Sequence, residues 1–175
     1  KIGLEKVIPG MLKSPLLQVA AIASRELRVA QAAAHRLGIP KAHGSYEALF
    51  ADPSIEAVYI PLPNHLHVPM TLAALQAGKH VLCEKPFAIH AADLEVLRPY
   101  ATTLHVREAF MVRHHPQWIA ARHELRAGAI GELRFIHVPF TYFNADPANI
   151  RNQPDIGGGA LYDIGCYAVV AGRWF

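Results

Sequence analysis

Apolar runs at 17–23, 55–60, 79–83 and 104–111 alternate with segments of helical period, and that rhythm limits the folds open to the chain. The run at 17–23 is continuous, the pattern of a strand covered on both faces. Strand alternating with helix at this spacing predicts a doubly wound parallel α/β sheet of Rossmann type, with ligands at the carboxyl ends of its strands. An opening helical piece to Lys13 is interrupted by Pro9. Ser24 is placed to cap a helix with Leu27, Ala30, Ala34 and Leu37 on one face, ended by Gly38 and Pro40. Ser45 opens a short helix to Phe50. Pro69 sits in the first turn of another, whose stripe is Val68, Leu72 and Leu75 and whose stop is Gly78. A further helix is expected over 90–97.

Past Met111 the rhythm changes. The pattern predicts a helix over 117–127, an aromatic and β-branched run over 133–143, a polar loop over 144–156, and a helical segment from 160 opened by Gly157, Gly158 and Gly159. The division expected is a dinucleotide-binding domain over 1–112 and the beginning of an α+β substrate and dimerisation domain over 113–175. A lone strand at 133–143 leaves its backbone groups unpaired, so more chain is expected beyond it.

A chain 52% hydrophobic and 18% charged buries a core and is not disordered. The net charge of +3 is spread rather than clustered, which argues against nucleic acid or a membrane surface as partner. No apolar run nears the roughly 20 residues that cross a bilayer, and no signal peptide is visible, so a cytoplasmic location is expected. Cys83 and Cys166 read as small core residues. His65 with His67, and His114 with His115, lack the spacing of metal ligands, so no metal is expected.

The stretch Gly78–Phe87, GKHVLCEKPF, ends a short strand in Glu84-Lys85-Pro86. Proline fixes its own φ and pushes the residue before it toward extended backbone, so Lys85 is aimed rather than left swinging. A surface turn with two solvated charges is the plain alternative. Ser24-Arg25, Pro61 to Asn64 and Glu84-Lys85 all fall at strand ends, which gives three polar groups for one ligand edge. Where NAD folds place an acid for the ribose, this chain has Ser24-Arg25. A hydroxyl and a guanidinium suit a 2′-phosphate, so NADP is expected and NAD remains open. Gly3 stands 22 positions before Arg25, the register of the third fingerprint glycine, with Ile2 beside it; the first strand is then expected upstream.

GKHVLCEKP, the upstream PLPNHLH and the downstream GGGALYDIGCY together resemble the glucose–fructose oxidoreductase/inositol dehydrogenase/rhizopine-catabolism family across essentially the whole chain. The resemblance implies a missing start and a missing end of the second domain, and oligomeric full-length relatives. It places Lys85 beside nicotinamide and a substrate hydroxyl. It implies cofactor contacts from Leu62, Asn64, His67 and Glu84, and from Arg113 beyond the last sheet strand. The family's usual D-x-G-x-H is here Asp163-Ile164-Gly165-Cys166-Tyr167, which resembles the branch holding dimeric dihydrodiol dehydrogenase and NADP-dependent D-xylose dehydrogenase. There the tyrosine takes the acid/base role.

The residues suit that chemistry. A phenol is a poor base near neutral pH, and an ammonium at Lys85 is expected to stabilise the Tyr167 phenolate. Asp163, one helical turn before Tyr167, is placed to orient the lysine or a substrate hydroxyl, and the three glycines are expected to let a sugar or cofactor approach closely. The function expected is hydride transfer between NADP and a sugar, polyol or vicinal diol. The alternatives are a non-catalytic NADP-binding sensor and an inactive enzyme fragment.

Overall fold

The structure, a computed structural model, describes residues 2–175; Lys1, expected to lead with Ile2 into the glycine fingerprint, lies outside the described residues. The chain divides into two compact, interleaved units. One comprises Lys1–Pro61, Pro69–Cys83 and Val96–Arg107; the other comprises Leu62–Val68, Glu84–Glu95 and Glu108–Phe175.

Parallel strands joined by helices make up the first unit, the α/β architecture the alternation predicts. β1 (Ala21–Ala23) pairs in parallel with β2 (Lys41–His43), with Ala23 opposite His43. β3 (Ala57–Ile60) pairs in parallel with β4 (His80–Cys83), with Ile60 opposite Cys83. β5 (Val106–Glu108) is the other neighbour of β4. The single sheet expected is thus two sheets among the described residues, one of β1 and β2 and one of β3, β4 and β5.

The strands are shorter than the apolar runs that predict them. Only the last three residues of the run at 17–23 are strand, and Leu17 is 56% exposed. A residue joins a ladder only where a neighbour offers backbone partners, and β2 offers three. β2 itself has no apolar run, so nothing in Lys41-Ala42-His43 announces it. Burial in β3 and β4 alternates: Val58, Ile60, Val81 and Cys83 are buried while Leu82 is 37% exposed.

The opening helix passes through Pro9 by way of a widened π turn, Gly3–Val7, into α1 (Ile8–Met11). Pro9 is the second residue of α1, directly after the π turn. α2 (Leu27–Leu37) begins at Glu26, not Ser24, and its buried face is Ala30, Ala33 and Ala34, with Leu27 48% exposed. Ser45 caps α3 (Tyr46–Phe50) by accepting from the Ala48 N–H. α4 (His67–Gln76) turns His67, Thr71, Ala74 and Leu75 inward at helical spacing, and Gly78 follows with φ +75°. Instead of an α-helix over 90–97, a 3-10 helix runs over Ala91–Thr102 with Pro99 inside it.

Lys79 shows how the first unit is fastened. It is 7% exposed, and its ammonium donates to the carbonyls of Asp52 and Ile55 at 2.9 and 2.8 Å. The turn before β3 is thereby tied to the residue that leads into β4, and the buried charge is hydrogen-bonded as burial demands.

The second unit carries α5 (Pro116–Arg126) and α6 (Cys166–Trp174), the latter entered through a π turn at Leu161–Gly165. The run at 133–143 forms no strand, and Phe135 and Phe143 are 80% and 92% exposed. A strand exists only as a paired one, and this unit has no partner for it among the described residues. Nor, among those residues, is any helix long and apolar enough to cross a membrane.

Candidate functional site

Both loops that leave β3 and β4 belong to the second unit, and one side chain ties them together. His67 is fully buried, with Nδ1 2.7 Å from the Pro86 carbonyl oxygen and Nε2 2.7 Å from that of Leu62. Direct cofactor contact was expected of it; instead both ring nitrogens are held by the protein. Glu108 adds a second tie, accepting from the Phe87 N–H at 2.9 Å. The Lys85–Pro86 peptide between these anchors is cis.

Held at its base, Lys85 meets Asp163. Its Nζ donates to the Asp163 backbone oxygen and to Oδ1 at 3.2 Å, with the lysine and aspartate side chains 14% and 15% exposed. Two residues that sequence reasoning missed complete this carboxylate. Arg151 donates from Nε to the same Oδ1 at 3.0 Å, and Tyr142 donates its hydroxyl to Oδ2 at 2.5 Å. Burial raises the Asp163 pKa, but the Tyr142 hydrogen bond and the charges of Lys85 and Arg151 outweigh it and hold the carboxyl below its ordinary value. The pairing raises the pKa of Tyr142 in turn. Nothing in the polar loop at 144–156 marks Arg151 out by pattern, because its partner lies 12 residues on, beyond any helical or strand spacing.

Tyr167 is a second neighbour of Lys85. The lysine Nζ is 5.2 Å from the ring centroid. Phe110 and Phe140 meet the same ring edge-on, with centroids 5.0 and 5.4 Å away. The hydroxyl has no hydrogen-bond partner among the described residues. Burial first, then the negative surroundings of Cys166, Glu84 and Asp163, push the phenol's pKa up. This corrects the expectation that Lys85 would stabilise the phenolate: the ammonium faces the ring and spends its hydrogen bonds on Asp163. The phenol therefore keeps its proton throughout the neutral range.

The glycines serve the protein itself. At Gly157, φ is +82° and a Cβ would stand 2.9 Å from Ile89 Cδ1 and 3.0 Å from Asn64 Cβ. Asn64 donates to the Gly157 carbonyl at 2.7 Å, so the segment after β3 and the glycine segment are joined directly. At Gly158 a Cβ would meet the Gln153 and Ile150 carbonyl oxygens at 2.5 and 2.7 Å. The space a Cβ would take is filled by side chains at Gly157 and by backbone at Gly158, and of the three only Gly159 has open space before it.

Of the remaining expected contacts, Glu84 Oε2 accepts from the Lys85 N–H at 3.3 Å. Arg113 lies over the Trp174 ring, 5.3 Å from its centroid, beside Arg122 at 4.1 Å. In the first unit, Ile2 is 42% exposed at the start of the opening helix. Gly3 is buried, and a Cβ there would stand 3.2 Å from Pro61 Cγ. Ser24 follows β1, its N–H donating to the His43 carbonyl, and the exposed Arg25 makes no hydrogen bond or ion pair among the described residues.

Residues 1–114 match the oxidoreductase family with NAD-binding Rossmann fold, GFO/IDH/MocA, and residues 118–175 match the GFO/IDH/MocA C-terminal domain. An uncharacterized oxidoreductase of Rhizobium meliloti is 52% identical over 98% of this chain and 52% of its own length. The D-xylose 1-dehydrogenase (NADP(+)) 2 of Haloferax volcanii is 46% identical over 99% of the chain and 54% of its own. A crystal structure of a 3-ketoreductase from Actinomadura kijaniata, in complex with NADP and TDP-benzene, superposes with a TM-score of 0.90 at 39% identity, covering 99% of this chain and 54% of that one. The chain spans about half the length of the curated relatives it matches. With both segments matched, the chain belongs to the GFO/IDH/MocA oxidoreductase family.

Proposed function

We propose that this protein is an NADP-dependent oxidoreductase that moves a hydride between nicotinamide and a sugar, polyol or vicinal diol. The observation that carries the reading is the Lys85 ammonium, seated on Asp163 with the Tyr167 ring 5.2 Å away. An alcohol or carbonyl oxygen between amine and phenol has a hydrogen-bond donor and a proton source. The named activities of the xylose dehydrogenase and the 3-ketoreductase support the substrate class.

The donor set fits the cofactor. Buried Gly3, with Pro61 where a side chain would stand, gives the close helix packing that a dinucleotide-binding turn requires. Arg25, exposed and unpaired after β1, is a fork for the 2′-phosphate, with the Ser24 hydroxyl beside it. In the second unit Leu62, Asn64, Glu84 and Lys85 are the candidates for its nicotinamide half. Bound, NADP supplies the hydride donor or acceptor.

The chain's own part is orientation and proton management. Lys85 Nζ donates to the oxygen on the reacting carbon. Tyr167 Oη gives its proton to that oxygen in reduction and receives it in oxidation. Asp163 holds the lysine, and His67 holds the turn that carries it. Cys83 and Cys166, neither in a disulfide, suit the reducing cytoplasm, and we read the full-length protein as a homo-oligomer by family.

Lys85→Met tests the assignment. Turnover of D-xylose with NADP+ is expected to collapse, while NADPH binding followed by its fluorescence changes little. Turnover comparable to the parent protein removes Lys85 from the chemistry.

A further inference from the structure

An ammonium that serves a substrate must be able to leave the group that holds it. Lys85 is held by a carboxylate only 15% exposed, and taking the amine away from a buried carboxylate with no other partner is strongly unfavourable. Asp163 has other partners. Its Oδ1 accepts from Arg151 Nε at 3.0 Å as well as from Lys85, and its Oδ2 accepts from Tyr142.

Arg151 is fixed for this role. Its backbone N–H donates to Asn149 Oδ1 at 3.1 Å, and its carbonyl accepts from the Gly159 N–H at 2.7 Å. The residue is pinned on both sides of its Cα, by a side-chain cap and by the glycine segment, so the guanidinium reaches Asp163 from a constrained backbone. It also brings a second positive charge to the same oxygen as Lys85. Like charges sharing one acceptor weaken each other's hold on it.

We propose that Arg151 is a positioning residue: it keeps Asp163 paired, so that Lys85 can exchange that carboxylate for the substrate oxygen and return. The proposal rests on Lys85 as the lysine of the reaction, and it predicts that Arg151 acts through Asp163 and not on the substrate. Without Arg151, Lys85 is the only cation left on Asp163 among the described residues and is held more tightly.

A readout independent of turnover tests this. The protein is treated with limiting acetic anhydride, and acetylation of Lys85 is followed by peptide mass spectrometry, with exposed Lys13 as internal reference. Arg151→Met is expected to slow Lys85 acetylation about three- to tenfold, and Asp163→Asn to accelerate it. Arg151→Lys is expected to restore the parental rate; Arg151→Gln, which keeps a donor without the charge, is expected to behave as the methionine variant. In turnover of D-xylose with NADP+, Arg151→Met is expected to lower kcat about tenfold with KM within about twofold, and to add nothing in an Asp163→Asn background. Lys85 acetylation unchanged or faster in Arg151→Met, with Lys13 constant, overturns the proposal; so does an Arg151 effect that persists undiminished without Asp163. A parent protein that turns over no D-xylose while Lys85 acetylation responds as stated leaves the role of Arg151 standing and counts against the proposed substrate class instead.

Discussion

Lys85 and Tyr167 are neighbours that do not share a hydrogen bond: the amine lies 5.2 Å from the phenol's ring centroid and donates to Asp163. Under the proposed function an oxygen on the reacting carbon meets both, the positive charge from Lys85 and the proton from Tyr167.

The first prediction concerns direction. Burial raises the Tyr167 pKa above its ordinary value of about 10, so the phenol is protonated throughout the neutral range. Carbonyl reduction, which needs the protonated form, is expected to be flat in pH from about 6 to 9. Alcohol oxidation, which needs the phenolate, is expected to climb with pH toward the alkaline limb. Tyr167→Phe is expected to lower kcat about 10²–10⁴-fold in both directions. Steady-state rates with NADPH and NADP+ across pH check this; an oxidation rate that levels off by pH 7 contradicts it.

Asp163 sets a dependence at the acid end. Its folded pKa lies below its unfolded value, so its ionisation stabilises the fold above that unfolded value, about 4. The contribution is lost as pH falls through the folded pKa. Urea midpoints of the parent protein should therefore drop below about pH 4, whereas those of Asp163→Asn should be lower at pH 7 and change less with acid.

His67 is the anchor of the lysine's turn. Replacing it with leucine removes the ring nitrogens that lie 2.7 Å from the Leu62 and Pro86 carbonyl oxygens, at a cost of about 1–3 kcal/mol for a group left unpaired in the interior. The expected result is a lowered urea midpoint and a fall in kcat larger than the change in KM. An unaltered midpoint means the two bonds do not hold the loops.

Glycine substitutions should divide by position. Gly157→Ala meets Ile89 and Asn64 and a positive φ, and Gly158→Ala meets backbone oxygens that cannot move aside. Both are expected to destabilise by more than about 1 kcal/mol. Gly172→Ala, in α6 with nothing near its missing Cβ, is expected to stabilise by about 0.5–1 kcal/mol. Thermal melts of the three variants give the comparison.

Much of the architecture could be read in advance because it depends on local pattern. Ser45 before α3, Gly38 and Gly78 after their helices, and Pro69 in a first turn act through neighbours in sequence. β2 was not legible, since Lys41-Ala42-His43 becomes strand only because β1 lies alongside. Leu27 shows the opposite failure: helical period put it on the buried face, yet packing left it 48% exposed.

For the site, the motifs alone single out Lys85, Asp163 and Tyr167, and they name the family. What each of these touches was decided only in three dimensions. Arg151 and Tyr142 reach Asp163 through folded loops, His67 turns inward to two carbonyls, and the Tyr167 phenol is raised rather than lowered by its surroundings. Hydrogen bonds and burial depend on distance in space, and sequence spacing reports that distance only within a single helix, strand or turn.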